Sequence, residues 1–523
     1  AISAAARAIR AMQLDSLAST RAIREPILFI RNVRNAYDAI TYSKSLGVIS
    51  MVDSYFGADI FRPAIGRYIA GFKDGIADAP QFYDAISRET RTPQLAAVFE
   101  GFVEQKGVPL LGVELRCSDE GDDTDENSRA DSQRAKGASV VLTQQRYRPL
   151  GSPIADTPQT WQIPVCLRDD QGTRFCDIIN ESRSELTLSG DNCPNWLFPN
   201  ARGSGYYRWT LPEAQWSALL EDFSTLEPIE ALSMVDSAFA AFENGTLSPE
   251  TLVQVIKAST TSSTRQVVQA PLAAIDRYAN RFFDERGRTA LRAVLASDYR
   301  AVLERARASA DPEQELLATK LTGFMARTLR LANERESLKQ QALAFTGFET
   351  GRNSGALGSD GYEDALVVAL QDAGPEFQRH LLKFRQSLDD PRFEGASAKA
   401  LGYVDDSAQV EELQQHLLSG AFGRRELYDL LRAGTSNPAT ALQHWTWIEK
   451  NFSAVLDSIP GQWRRRTPSL AAAFCSADAM RRLTALFEEH GKQAPGYGRA
   501  FDQSEEQIQL CLALKPSAEA LVT

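Results

Sequence analysis

At 523 residues, with 43% hydrophobic and 24% charged positions, the chain has an ordinary globular composition and exceeds what one hydrophobic core organises. A formal net charge of −11 argues against a surface built on clustered Lys and Arg, so neither nucleic acid nor an anionic membrane is an expected partner. The one basic run, Arg464-Arg465-Arg466, reads as a solvated helix end or turn.

The first stretch, residues 1–105, is helical in pattern. Ile49, Met51, Val52, Tyr55 and Phe56 recur at helical spacing, and Gly57 is a natural stop. The opening residues Ala1-Ile-Ser-Ala-Ala-Ala-Arg lack the charged start and apolar centre of a signal peptide. They begin without Met inside a helical pattern, which reads as a processed or truncated product.

Residues 106–212 change period. Short runs beginning at Val108, Ala138, Trp161 and Tyr206 read as strands split by polar loops, and several short strands at this spacing predict a small β-sandwich. Two of the six cysteines, Cys166 and Cys176, flank the turn Asp169-Asp170-Gln171-Gly172. On a hairpin they would lie almost opposite each other, either as a cross-strand disulfide or as buried thiols. A bridge would imply export, periplasmic or extracellular; otherwise the chain is cytoplasmic. A cysteine zinc site is disfavoured because no Cys-x-x-Cys pair exists. The acidic loop Asp119–Glu126 lacks calcium-loop spacing and reads as solvated.

Residues 213–523 are a succession of amphipathic segments with short linkers carrying Gly, Pro or Asp. They fall near 216–226, 230–243, 272–283, 290–307, 313–333, 364–370, 377–388, 410–417 and 438–456. Many paired helices predict an α-superhelix of the HEAT or armadillo kind, although no strict repeat exists. The glycine-rich stretch Gly351–Gly361 lacks the Gly-Lys-Ser/Thr ending of a phosphate cradle and reads as an interhelical loop. No run approaches the roughly 18–20 apolar residues that span a bilayer.

Chemistry is sparse. The four histidines, His380, His416, His444 and His490, include no pair at i, i+4, so a His-Glu-x-x-His zinc site is not expected in this chain. No Gly-x-Ser-x-Gly elbow occurs either. The residues alone indicate a multi-domain protein without a self-contained catalytic site.

A set of motifs in fixed order extends this reading. Asp38-Ala-Ile-Thr-Tyr42-Ser-Lys44 with Val48-Ile-Ser-Met51 resembles the Tyr-x-Lys-Gly segment of the gluzincin zinc aminopeptidases, the family of aminopeptidase N and of the puromycin-sensitive and endoplasmic reticulum aminopeptidases. Met12-Gln-Leu-Asp15-Ser-Leu, Phe56-Gly57-Ala-Asp59-Ile-Phe61 and Phe102-Val-Glu-Gln105-Lys-Gly107-Val-Pro109 are similar to neighbouring family stretches. So are Leu142–Tyr147, Trp161–Pro164, Asn200–Arg208, Asp236 with Gly245, and Trp445–Phe452.

The resemblance implies the end of a thermolysin-like catalytic domain, then the sandwich, then the superhelix, in a fold that is mostly α. It implies a parent enzyme that removes amino-terminal residues from peptides with Zn2+. Tyr42 would be the oxyanion donor, a phenol aimed at developing charge. The zinc ligands precede this tyrosine in the family. Only Asp15, Glu25 and Asp38 are acidic before Tyr42, and none of the three is assigned as a ligand. No residue here is therefore expected to bind the metal. The expected partners are a peptide substrate and the amino-terminal part of the same protein, and this chain alone is expected to be inactive. Ser45 stands where the family carries Gly. The alternative is a non-catalytic helical-repeat module that binds a peptide or protein.

Overall fold

Apolar residues spaced at 3.6 coil the chain at both ends, and a period of two extends it in the middle. The computed structural model describes residues 2–26, 37–117, 138–188, 193–349 and 351–522. The acidic loop Asp119–Glu126 lies outside them. The chain forms two compact units, Ala1–Ala270 and Pro271–Thr523. No helix among the described residues is long and apolar enough to cross a membrane.

The first unit opens with helix α1 (Ile2–Asp15), a single π-helical turn (Ile40–Lys44) continuous with α2 (Ser45–Phe56), then α3 (Ala58–Gly71), α4 (Ala79–Thr90) and α5 (Leu95–Glu104). Gly57, with φ of 83°, separates α2 from α3. At the start of α4 the Gln81 amide donates to the Asp78 carboxylate at 3.1 Å, and the Gln81 side chain accepts from the Asp78 amide at 2.8 Å.

Among the described residues seven strands follow: β1 (Pro109–Cys117), β2 (Ala138–Arg146), β3 (Ile163–Asp169), β4 (Arg174–Ile179), β5 (Arg183–Thr187), β6 (Leu197–Phe198) and β7 (Arg208–Thr210). They make a four-stranded sheet in the order β5-β2-β1-β7 and a three-stranded sheet in the order β4-β3-β6. All pairings are antiparallel except β1 with β7. Strand β3 is buried along almost its whole length (Ile163, Val165 and Leu167 among others), so it serves as the spine of its sheet. Strand β5, Arg-Ser-Glu-Leu-Thr, alternates exposed and half-buried positions. Its polarity hides it from a hydrophobicity reading. The unit closes with α6 (Glu213–Glu221), α7 (Pro228–Asn244), α8 (Pro249–Ser259) and α9 (Arg265–Gln269).

Cys166 and Cys176 are register partners across β3 and β4, Cα atoms 4.1 Å apart, and their sulfurs are joined. Cys117 is joined to Cys193 and Cys475 to Cys511.

The second unit is helical. Its helices include Glu285–Arg307, Pro312–Arg327, Ala332–Thr346, Tyr362–Asp372, Pro391–Gly402, Arg424–Ser436 and Ala441–Lys450. Helix Tyr362–Asp372 is buried on nearly every side (Ala365 through Leu370), which makes it the centre of the apolar core. The stretch Gly351–Gly361 lies between two helices and ends in a short 3-10 turn. Arg464–Arg466 also sit in a 3-10 segment, Gly461–Leu470, with Arg464 paired to Asp457 at 3.2 Å.

His444 is fully buried and neither ring nitrogen has a hydrogen-bond partner. Helix Arg424–Ser436 approaches the ring at Gly434, where a side-chain carbon would lie 2.6 Å from it. Burial depresses the imidazole pKa from 6.5 to about 4. The unfolded chain therefore takes up this proton first as the pH falls through 6.5, so the stabilising effect of a neutral His444 is present above that value. It is lost progressively down to about pH 4, with no further change below.

Two outcomes are expected. Between pH 7 and pH 5, His444 lowers the stability of the second unit by about 2 kcal/mol, and His444→Leu removes that part of the pH dependence. Denaturant titrations of both proteins at the two pH values test this, and equal slopes would refute it. Intact-mass measurement on oxidised protein should show all six cysteines bridged. Six thiols labelled before reduction would remove both the bridges and the case for export.

Candidate functional site around Tyr42

The π-turn Ile40–Lys44 buries Ile40 and Lys44 at its two ends, which leaves Tyr42 on the opposite face. Tyr42 is 60% exposed, and its ring lies 6.4 Å from that of Tyr37, itself 63% exposed. Two polar anchors hold the turn.

The first lies at its end. Lys44 and Asp15 are both fully buried and form an ion pair of 2.9 Å. The Lys44 ammonium also donates to the Gln105 carbonyl at 3.0 Å, ahead of β1. Asp15 has three further donors: the Tyr206 hydroxyl at 3.2 Å, Thr20 Oγ1 at 3.2 Å and the Gly107 amide at 2.9 Å. One carboxylate thus ties α1, the π-turn, the entry to β1 and the segment before β7. Desolvation lowers the Lys44 pKa, and the Asp15 carboxylate opposes that shift. Burial, reinforced by Asp15, raises the Tyr206 phenol well above its usual value, so it remains a donor.

The second anchor precedes the turn. Arg21, 3% exposed, grips both oxygens of Asp38 at 3.1 and 2.7 Å and donates to Thr41 Oγ1 at 2.6 Å. Asp38 accepts from the amides of Ile40 and Thr41 on its side chain, at 3.0 and 3.1 Å, and from the Tyr42 amide on its carbonyl, at 3.2 Å.

Glycine is needed at 47, not 45. Ser45 is half-buried and tolerated where α2 begins, whereas a side-chain carbon at Gly47 would lie 2.5 Å from the Tyr206 ring.

A parallel device stands beside the first anchor. Arg208 pairs with Asp236 at 3.3 Å, donates to Ser16 Oγ at 2.9 Å and stacks over the Tyr147 ring at 4.6 Å. This links the end of α1 to β7 and α7.

The described residues do not fit a zinc ion: no group of three or more His, Cys, Asp or Glu side chains converges among them. The four histidines all belong to the second unit, and Glu25 joins no such group. A cavity of about 330 Å³ opens between α1, α2 and the 200–205 loop, but Tyr42 is not among its walls. Sequence reasoning singled out Tyr42 but missed Arg21 and the pairing of Asp15 with Lys44. One signal was present: Asp15 continues the buried stripe Ala8, Ala11 and Met12, and a charge on an apolar stripe implies a buried partner.

Removing one member of the Asp15–Lys44 pair should be far worse than removing both. Asp15→Ala is expected to cost about 3–5 kcal/mol, and Asp15→Leu with Lys44→Met to recover most of that loss. Denaturant unfolding of the three proteins measures it, and equal losses in single and double variants would contradict this account.

Comparison with known proteins bears on the same segments. Residues 2–102 match the peptidase family M1 domain, and residues 196–510 match the ERAP1-like C-terminal domain. The chain is 20% identical over 514 residues to the alanine/arginine aminopeptidase of Saccharomyces cerevisiae, covering 95% of this chain and 56% of that protein. It is 24% identical over 256 residues to the puromycin-sensitive aminopeptidase of Caenorhabditis elegans, covering 47% of this chain and 25% of that protein. With aminopeptidase M1 of Arabidopsis thaliana the identity is 21% over 550 residues, again 95% and 56% of the two. The chain spans about half the length of the curated relatives it matches over most of its own.

Proposed function

This chain belongs to the M1 aminopeptidase family, with an ERAP1-like carboxy-terminal domain, and from that premise we propose that it is the carboxy-terminal part of a zinc metallo-aminopeptidase that removes amino-terminal residues from peptides. The observation that carries the reading is Tyr42, turned outward on a π-turn that is pinned at both ends and lies inside the segment matching the peptidase domain. The phenol's role is to donate a hydrogen bond to the oxygen that becomes negative as the peptide carbonyl is attacked. Zinc, when bound, would supply Lewis acidity and an activated water. No residue of this chain is assigned to hold it, so the chain alone lacks activity.

The distribution of apolar surface supports this. Tyr37, Tyr42, Ile49, Ile60, Ile69 and Ile76 are all exposed, and they crowd into one stretch of the peptidase-like segment. In this reading these side chains, of which Tyr37 and Tyr42 lie side by side, would be covered by another part of the protein. The covering part would be the remainder of a thermolysin-like catalytic domain. In this reading the two sheets form a sandwich that follows that domain in the chain and precedes a superhelical carboxy-terminal domain, and the parent is exported. The paired cysteines support the last point.

The test compares this chain with the protein expressed together with its upstream coding sequence, on an aminoacyl-anilide with zinc. The longer protein should turn over and this chain should not. In the longer protein Tyr42→Phe should lower kcat by about 100- to 1000-fold. Full turnover by this chain, or an unaffected Tyr42→Phe enzyme, defeats the proposal.

A further inference from the structure

We infer that Asp38, gripped by Arg21, is a positioning residue for Tyr42: it sets the direction of the phenol rather than merely starting a helix. The inference rests on the oxyanion reading of Tyr42 and adds to it a group that acts through that tyrosine.

Three consecutive amides, of Ile40, Thr41 and Tyr42, all donate to Asp38, two to its carboxylate and one to its carbonyl. The carboxylate caps two orphan amides in the usual way, and the Tyr42 amide makes the backbone i→i−4 bond, so the tyrosine's turn starts directly on Asp38. The carboxylate is not free to rotate, because Arg21 holds both oxygens and bonds Thr41 Oγ1 with the same nitrogen that reaches Asp38. Arg21 is in turn fixed by donating to the carbonyls of Ala22 and Ile23, at 2.8 and 3.0 Å.

Two residues after Tyr42, Lys44 is clamped to Asp15 and Gln105. Tyr42 is thus one exposed side chain between two immobile points, and its backbone has no slack. The helix is π-wound at this turn and nowhere else among the described residues, and single π turns inside α-helices frequently mark functional sites. A solvent-facing tyrosine with no task would need neither anchor.

Asp38 is one-third exposed, so its removal need not empty the core. Asp38→Asn keeps the shape but loses the charge that Arg21 grips, and Thr41→Val removes one hydrogen bond alone. The experiment uses the zinc-loaded longer protein with Asp38→Asn, Thr41→Val, Tyr42→Phe and the double variant of Asp38 and Tyr42. A fluorotyrosine at position 42 gives a second readout by 19F NMR.

Asp38→Asn should lower kcat roughly 10- to 100-fold with KM nearly unchanged, as expected when a reacting group is displaced by about 1 Å. Thr41→Val should lower it less. In the Tyr42→Phe background Asp38→Asn should have no further effect, since its action runs through the missing phenol. The 19F resonance should shift or broaden in Asp38→Asn while the melting temperature falls little.

Equal losses from Asp38→Asn with and without the phenol would overturn the inference, as would an unshifted resonance with kcat falling only in step with the melting temperature. If Tyr42→Phe is fully active, the oxyanion reading itself fails. If Tyr42→Phe is impaired but Asp38→Asn is not, only the positioning role fails.

Discussion

Two opposite charges withdrawn from water, Asp15 and Lys44, constrain the first unit more than any other contact. Neither is tolerable alone in an apolar interior, and each is tolerable beside the other only with its remaining donors and acceptors satisfied. Asp15 meets that demand with four donors, three of them from segments distant in sequence and the fourth from nearby Thr20. Such a pair contributes little net stability over a well-packed apolar replacement. What it specifies is register: α1, the π-turn, the entry to β1 and the residues before β7 cannot slide past one another while those bonds are made.

The same logic is repeated one turn away. Arg208 and Asp236 are both nearly excluded from solvent, and Ser16 beside Asp15 receives the guanidinium. Burial tends to lower the Arg208 pKa, but Asp236 and its other acidic neighbours leave it raised overall, while Asp236 itself is pushed up by desolvation. Further along, Glu230 in α7 takes a bidentate Arg168 from β3 and also accepts the Arg202 amide. Polar bonds therefore hold helix to sheet in a unit whose last two described strands have only two and three residues.

The second unit follows another principle. Its core is apolar almost throughout, with helix packing supplied by Leu, Phe, Ala and Val side chains, and its buried histidine is stored neutral. Ion pairs Arg327–Asp364 and Arg335–Asp372 tie helices Pro312–Arg327 and Ala332–Thr346 to helix Tyr362–Asp372. Asparagine does comparable work inside it: Asn437 donates to the Val404 carbonyl at 2.9 Å and joins the chain entering one helix to the end of another. The second unit has its own buried polar tie, Arg385, which bonds Glu426 at 2.8 Å, Ser397 and the Ala421 carbonyl.

The sequence by itself determined the broad layout. Apolar spacing marked the helices of residues 1–105 and beyond 213, the runs beginning at Val108, Ala138 and Trp161 marked the longer strands, and the ordered motifs around Tyr42 and Arg208 identified the family. These are legible because periodicity and motif order are local properties. What could not be read is every feature that depends on distant residues meeting. The tertiary structure alone decided that Lys44 is buried and Tyr42, two residues away, is not. It alone placed Asp15 beside a lysine 29 positions later (44 − 15) and Arg21 on Asp38. It also showed why position 47 is a glycine: a side chain there would meet the Tyr206 ring, which comes from the far end of the sheets. Charge pairing in a low-dielectric interior is a property of the assembled unit, and no spacing within a single segment records it.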